Sequence, residues 1–312
     1  PVFAVYSTFL QRSYDMLLHD VALMNLHVVF AVDRAGLVGA DGETHQGIYD
    51  VGFLQTVPNM KILCPASFNE LREMLRHAVL SLDGPVAVRY PKSAEGRYKD
   101  GFMQNGSFPF ARCLREGGDL TLVTYGVNVN TALDAADILQ ERGISAEIIK
   151  LNYISPIDID TVTASLGKTG RLLVLEECAE AGCVGERIAA YLAQNAVTPS
   201  SLRLLNLGSR FVPQGSIDEL REMCGIDTEG VVRAAAEACQ GMHGFDSADT
   251  GAAVRSEDGH VAQDAGDAEA VEDLQDAGET EDGENAEDAE TADQSNDTQV
   301  VKVMDGSGEQ GT

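Results

Sequence analysis

Residues 28–47 read VVFAVDRAGLVGADGETHQG, an apolar run followed by a glycine-rich polar stretch. The first five residues are small, β-branched or aromatic, and such a run is typical of a buried strand in a parallel sheet. The fifteen residues after it hold four glycines together with Arg34, Asp41 and His45. Because loops at the carboxyl ends of parallel strands carry binding residues, the stretch predicts an α/β fold with an active-site loop.

Arg34 and His45 give this loop its predicted chemistry. A guanidinium at the end of a strand suits a phosphate or a carboxylate group. Histidine changes its charge near neutral pH and can transfer protons, although a lone loop histidine is more often structural or solvated. We therefore expect acid/base chemistry on an anionic substrate, with an ordinary polar connection as the alternative.

Strand-like and helix-like segments alternate along the rest of the chain. Further strands are predicted at residues 2–6, 60–65, 85–90, 120–125, 146–151, 171–175 and 202–207. Helices opening at Ser67 and Ser216 carry the capping-box pattern, in which a serine and a glutamate three positions later exchange hydrogen bonds. The alternation predicts an α/β protein with two successive, mostly parallel-sheet domains.

Shifts in composition set the expected domain limits. We place an N-terminally incomplete first domain at residues 1–97, a polar linker at 98–118 and a second domain at 119–241. Residues 242–312 hold 21 of the 50 acids and two of the 22 bases, with too little apolar surface to build a core, and predict a disordered acidic tail. Because a strand-like run opens the chain, we expect a fragment or one half of a split protein.

Charge, hydropathy and cysteine spacing exclude several classes of protein. A net charge of −28 argues against nucleic-acid binding, and no apolar run has the length of a membrane span. We therefore expect a cytoplasmic protein. The six cysteines lack the spacing of zinc sites and predict reduced thiols, with no metal site. The pair Glu176-Glu177 could face a ligand, but a solvated acidic loop or a subunit contact is the favoured interpretation, and we leave the pair out of the site.

Four motifs in this order resemble one enzyme family. They are YSTFLQR at residues 6–12, DRAGLVGADGETHQG at 33–47, VRYP at 88–91 and GSRFVPQG at 208–215. Together they resemble the 1-deoxy-D-xylulose-5-phosphate synthase family of the transketolase superfamily, over residues 1 to about 240. The resemblance implies three α/β domains, of which this chain spans most of the pyrimidine-binding domain and all of the C-terminal domain.

The resemblance also implies a cofactor and the residues that contact it. The cofactor is thiamine diphosphate with Mg²⁺, whose ligands are expected in an N-terminal diphosphate-binding domain. Phe9 matches the aromatic residue that stacks on the aminopyrimidine ring, and its alternative role is to fill the core. His45 matches the acid/base or hydrogen-bonding histidine of the substrate pocket, so the resemblance assigns it a catalytic role.

Five further residues match positions that bind substrate. Tyr6 and Arg34 match groups near the phosphate of glyceraldehyde 3-phosphate, and Arg12 and Asp41 match residues that line the pocket. Lys92 departs from the family, which usually has an arginine at this position. A lysine still neutralises a phosphate, but as a point charge without the bidentate fork of a guanidinium.

The implied reaction condenses pyruvate with glyceraldehyde 3-phosphate, releases CO₂ and forms 1-deoxy-D-xylulose 5-phosphate for non-mevalonate isoprenoid and thiamine biosynthesis. We expect the chain to be inactive alone and to need the N-terminal domain or a separate subunit, within a homodimer. Two alternatives stay open. The chain could be the C-terminal subunit of a split transketolase, which uses ketose donors, or a non-catalytic assembly module that keeps the fold.

Overall fold

The computed structural model describes residues 1–103, 105 and 108–240. These residues form ten strands in two five-stranded sheets. The strands are β1 (Val2–Tyr6), β2 (Val29–Asp33), β3 (Lys61–Leu63), β4 (Val86–Arg89), β5 (Ala111–Arg115), β6 (Leu120–Tyr125), β7 (Ala146–Leu151), β8 (Tyr153–Ser155), β9 (Arg171–Leu175) and β10 (Ser201–Leu205). The predicted tail at 242–312 lies outside the described residues.

Both sheets are mostly parallel, which confirms the predicted fold class. The first has the order β1-β2-β4-β3-β8, with β8 antiparallel to β3. The second has the order β10-β9-β6-β7-β5, with β5 antiparallel to β7. All six residues of β6 are buried, as expected of a strand covered on both faces.

Strands β5 and β8 were not predicted. β5 lies inside the expected linker, and β8 belongs to the first sheet although it follows β7 of the second sheet in the chain. Both are antiparallel edge strands, and β8 has only three residues, so neither has a long apolar run to indicate it. Sheet membership therefore does not follow the chain order, and the limits at residues 97 and 119 stay a prediction.

Helices cover both sheets, and the first of them follows β1 without a break. The α-helices are α1 (Ser7–Leu10), α2 (Tyr14–Met16), α3 (Asp50–Leu54), α4 (Phe68–Leu80), α5 (Asn128–Glu141), α6 (Ile159–Thr169), α7 (Val184–Gln194), α8 (Ile217–Cys224) and α9 (Thr228–Ala238). A 3₁₀ turn (Gln11–Ser13) joins α1 to α2, and a π-helical turn (Leu17–Ala22) follows α2. No described helix is long and apolar enough to cross a membrane.

The two predicted capping boxes differ in the structure. At α8 the box is complete, because Ser216 Oγ accepts from the Glu219 amide (3.3 Å) and the Glu219 carboxylate accepts from the Ser216 amide (3.0 Å). At α4 the first half forms, but the Glu70 carboxylate accepts from the Ala66 amide (2.8 Å) and pairs with Lys150 (3.0 Å). The second half of that prediction is wrong because this buried cation on β7 draws the carboxylate away.

The hydrophobic core joins the two sheets. One cluster of buried residues includes Leu10 and Val32 from the first sheet and its helices, together with Val123 and Ile149 from the second. The described residues 1–240 all lie within one compact unit. Side chains of the second sheet can therefore reach loops of the first.

Candidate active site

The candidate site lies at one edge of the first sheet. Strands β1, β2 and β4 are parallel neighbours, so their carboxyl ends, at Tyr6, Asp33 and Arg89, meet at the same edge. Residues 33–47, here called the site loop, leave β2 at this edge. The arrangement places all three segments that carry predicted site residues next to one another.

Three aromatic rings form the first part of the site. Tyr6 and Phe9 are stacked, with ring centroids 5.5 Å apart, and the His45 ring meets Phe9 edge-on at 5.6 Å. Phe9 remains 48% exposed, which leaves apolar surface for a planar ligand. His45 Nδ1 lies 2.9 Å from Thr44 Oγ1, so Nε2 is the ring nitrogen left to meet a substrate.

Arg34 forms the cationic part of the site. Its guanidinium donates to Tyr6 Oη (3.0 Å) and lies over the Tyr6 ring, with Cζ 4.2 Å from the centroid. The backbone of Arg34 is left-handed, with φ of 56°, which is unfavourable for a residue with a side chain. Its buried Nε has no hydrogen-bond partner among the described residues. Strain and an unpaired buried donor are features that cluster at functional sites.

Asp41 and Lys92 form a second, weaker group. Lys92 Nζ lies 3.9 Å from Asp41 Oδ2, and the Lys92 side chain is 58% exposed. An exposed pair at this distance contributes little to stability, so the ammonium can exchange its partner for a substrate anion. Arg12 is exposed on its 3₁₀ turn and makes no hydrogen bond or ion pair within the described ranges. The geometry thus joins six of the seven predicted residues into two groups and leaves Arg12 apart.

Glu176 and Glu177 were not predicted as part of a site, and the interpretation as a solvated loop is wrong. They are 1% and 4% exposed. Glu176 accepts from the amides of Val184 (2.9 Å) and Gly185 (2.7 Å), and burial raises the pKa of its carboxyl group. Glu177 instead accepts from the Leu37 amide (2.8 Å) in the site loop. One feature of the sequence could have predicted their burial. Both residues directly follow the apolar strand β9, and the strands of a parallel sheet are buried along their length.

The motif at residues 208–215 also contacts the site loop. Gln46 accepts from the Val38 amide (2.8 Å) and donates to the Pro213 carbonyl (3.1 Å). Gln214 donates to the Ala40 carbonyl (3.1 Å). The second sheet and its loops therefore hold the site loop along its length.

Among the described residues, one group has metal-ligating atoms close together. Ligand atoms of Cys113, Glu116 and Glu147 lie within 4.8 Å of one another, beside β5 and β7 of the second sheet. Lys168 pairs with both glutamates and offsets part of their negative charge. We assign no metal to this group.

Comparison with known proteins identifies the class. Residues 1–96 match the family model of the transketolase pyrimidine-binding domain, and residues 110–231 match that of the transketolase C-terminal domain. The chain therefore belongs to the transketolase superfamily. Among solved structures it resembles a split-gene transketolase described as an inactive β4 tetramer, with a TM-score of 0.63, 25% identity and coverage of 77% of this chain and 75% of that one.

Within the superfamily, the chain resembles 1-deoxy-D-xylulose-5-phosphate synthases, as its motifs predicted. It is 43% identical over 236 residues to the synthase of Desulforudis audaxviator and 42% identical over 235 residues to synthase 1 of Geobacter sulfurreducens. Each alignment covers 75% of this chain and 37% of the relative. The chain thus spans little more than a third of the length of these curated relatives.

Proposed function

We propose that this chain supplies part of the active site of a 1-deoxy-D-xylulose-5-phosphate synthase. This part would bind the aldehyde acceptor and transfer protons. The complete enzyme would condense pyruvate with glyceraldehyde 3-phosphate and release CO₂. The observation that carries the proposal is the contact of Tyr6, Phe9, Arg34 and His45 at one sheet edge. These four residue types offer an apolar face, a cation and a proton carrier next to one another.

Phe9 would hold the aminopyrimidine ring of thiamine diphosphate against its exposed face. When bound, thiamine diphosphate supplies the electron sink that stabilises the carbanion formed from pyruvate. We assign no ligand of the diphosphate or of Mg²⁺ to the described residues. Both would come from a diphosphate-binding domain, carried by a longer polypeptide or by a separate chain, and we expect the present residues to be inactive without it.

Arg34 and Tyr6 would bind the phosphate of the aldehyde acceptor, with Lys92 and Arg12 adding positive charge near it. His45 Nε2 would donate a proton to the aldehyde oxygen as that oxygen gains negative charge. Asp41 would orient the Lys92 ammonium, which lies 3.9 Å from its carboxylate. Orientation and proton transfer are the contributions that protein residues make to cofactor chemistry of this kind.

Reconstitution tests this function. The chain is mixed with the N-terminal diphosphate-binding domain of the Desulforudis audaxviator synthase, thiamine diphosphate and Mg²⁺, and CO₂ release from pyruvate is measured with and without glyceraldehyde 3-phosphate. We expect activity from the mixture and from neither part alone. A mixture that associates, as seen by size-exclusion chromatography, yet releases no CO₂ would contradict the proposal.

A split transketolase subunit is the second candidate, favoured by the structural likeness to a split-gene transketolase of similar length. The same mixture distinguishes the two functions by its donor. Turnover of xylulose 5-phosphate without turnover of pyruvate would favour the transketolase. A non-catalytic assembly module is excluded if calorimetric titration of the mixture with glyceraldehyde 3-phosphate detects binding.

A further inference from the structure

We propose that Glu177, in the segment that follows β9 of the second sheet, is a positioning residue that holds the neck of the site loop and thereby sets the conformation of Arg34. The neck is the pair Gly36 and Gly47, where the two ends of the loop meet. The inference rests on the proposed function, because Arg34 is the residue assigned to the acceptor phosphate.

The neck is closed by two backbone hydrogen bonds. The Gly36 amide donates to the Gly47 carbonyl (2.7 Å), and the Gly47 amide donates to the Gly36 carbonyl (2.8 Å). Arg34 lies two residues before this closure with its left-handed backbone, φ of 56°. A residue with a side chain keeps such a conformation only where the surrounding structure restrains it strongly. Whatever holds the neck therefore also holds Arg34.

Glu177 contacts the first end of the neck directly and is linked to the second end through Arg89, although it lies 140 residues from Leu37 in the chain. Its Oε1 accepts from the Leu37 amide (2.8 Å), directly after Gly36. Its backbone carbonyl accepts from Arg89 Nη2 (3.2 Å), and the same nitrogen lies 3.4 Å from the Gly47 carbonyl oxygen. One residue thus restrains the first end through its side chain and the second through Arg89.

The two glycines of the neck are packed too closely to be replaced by a residue with a side chain. Gly36 has φ of 88°, and a Cβ atom added there would collide with the Glu177 carboxylate. A Cβ atom added at Gly47 would collide with the Arg34 carbonyl oxygen. The close approach of Glu177 and of the Arg34 carbonyl therefore requires glycine at both positions of the neck.

Glu177 is itself held in place by Arg221 on α8. Arg221 Nε (2.8 Å) and Nη2 (2.6 Å) both donate to Glu177 Oε2, which leaves Oε1 for the Leu37 amide. The pair is largely buried, with side chains 5% and 21% exposed. A buried charged hydrogen-bond network of this kind is rigid when every member is satisfied.

Glu176 provides a matched control at the neighbouring position. It is equally buried, but its carboxylate accepts from Val184, Gly185 and Tyr125, all on the second sheet or its helices. A Glu176→Gln variant should therefore disturb the second sheet without loosening the site loop. Any effect specific to Glu177 is then an effect on the loop.

The test compares Glu177→Gln with Glu176→Gln in the reconstituted enzyme. A neutral amide offers one acceptor oxygen where the carboxylate offers two, so the contact with Leu37 or with Arg221 must be lost. We expect the Glu177 variant to raise the KM for glyceraldehyde 3-phosphate roughly 10- to 100-fold, with the KM for pyruvate unchanged. In an Arg34→Ala background the same change should have almost no further effect on the acceptor KM, because Glu177 acts through Arg34.

Hydrogen exchange supplies a readout that needs no activity. Peptides covering residues 34–47 should exchange faster in Glu177→Gln than in the unmodified chain and in Glu176→Gln. If Glu177→Gln fails to fold, Arg221→Gln replaces it, since it frees Oε2 at a more exposed position. The inference is overturned if these peptides exchange alike in all variants. An enzyme inactive on pyruvate would refute the proposed function while leaving the exchange comparison intact.

Discussion

The site loop after β2 and the segment at residues 176–183 after β9 occupy equivalent places in the two sheets, but they differ in burial. Both β2 and β9 lie second from one edge of a parallel array. The site loop leaves Arg34 and His45 partly exposed, whereas Glu176 and Glu177 are buried. The same position in an α/β sheet can thus carry groups that meet a ligand or groups that hold other segments in place.

The two segments differ in burial because different hydrogen-bond donors lie near them. Glu176 receives the free amides at the N-terminus of α7, and Glu177 receives the Leu37 amide and Arg221. A buried carboxylate needs such donors, because desolvation without them is costly. In the site loop, Gly36 and Gly47 bond each other through their backbones, and the side chains of Arg34 and His45 stay partly exposed.

The largest expected effect concerns Arg89, which contacts both regions. Its Nε donates to Asp50 Oδ2 (2.7 Å), with the two side chains only 7% and 0% exposed. Replacing Arg89 by Met leaves a buried carboxylate without its partner, and we expect a loss of about 3–5 kcal/mol in the free energy of unfolding, measured by urea denaturation.

Arg97→Met is the matched control for Arg89→Met. Arg97 pairs with Asp134 and Asp137 at the surface, where all three side chains are about half exposed. Its loss should cost less than about 1 kcal/mol. Equal losses of stability in the two variants would show that the buried Arg89–Asp50 pair contributes no more than a surface pair.

The second-largest effect is expected at His45, in the site loop. His45→Asn keeps a hydrogen-bonding group at a partly exposed position but removes the proton carrier. We expect kcat/KM of the reconstituted enzyme to fall roughly 100-fold or more, with unfolding by urea unchanged. A variant that keeps full activity would remove His45 from the catalytic assignment.

A smaller effect is expected at the N-cap of α8, the helix that carries Arg221. Ser216→Ala removes both hydrogen bonds of the serine hydroxyl in the capping box and should cost about 1 kcal/mol of stability. Ser200→Ala, at an exposed serine whose hydroxyl makes no hydrogen bond to the described residues, is the control. Denaturation midpoints that agree between the two variants would show that the cap does not stabilise α8.

The smallest effect is expected at Lys92. Lys92→Arg restores the side chain usual in the family and adds a bidentate donor, so the KM for glyceraldehyde 3-phosphate should fall by less than about tenfold. The KM for pyruvate is the internal control and should not change. An unchanged acceptor KM would show that the departure from the family is without consequence.

Much of the fold could be predicted from local patterns. Strands β6, β7 and β9 have the predicted bounds, because strands buried on both faces are rich in apolar residues. β5 and β8 were missed because they are short antiparallel edge strands whose partners, β7 and β3, lie far away along the chain. The capping box at Ser67 was half right for the same reason, since the partner of Glu70 is Lys150, on the other sheet.

The residue types of the candidate site could be predicted from the sequence, but the contacts that hold the site loop in place could not. Arg34 and His45 stood out as charged or titratable groups among glycines at a strand end. The bond between Leu37 and Glu177 spans 140 residues and leaves no local pattern. The roles proposed for the site residues stay predictions until the variants above are measured.

The sequence by itself determined the alternation of strands and helices, the place of the site loop at a strand end and the membership of the transketolase superfamily. Each of these depends on short runs of residues, whose burial and turn preferences are local. Only the tertiary structure decided which donors satisfy the buried carboxylates of Glu176 and Glu177, and that Glu177 bonds the Leu37 amide in the site loop. The physical reason is that a carboxylate can be buried only where donors from distant segments converge on it.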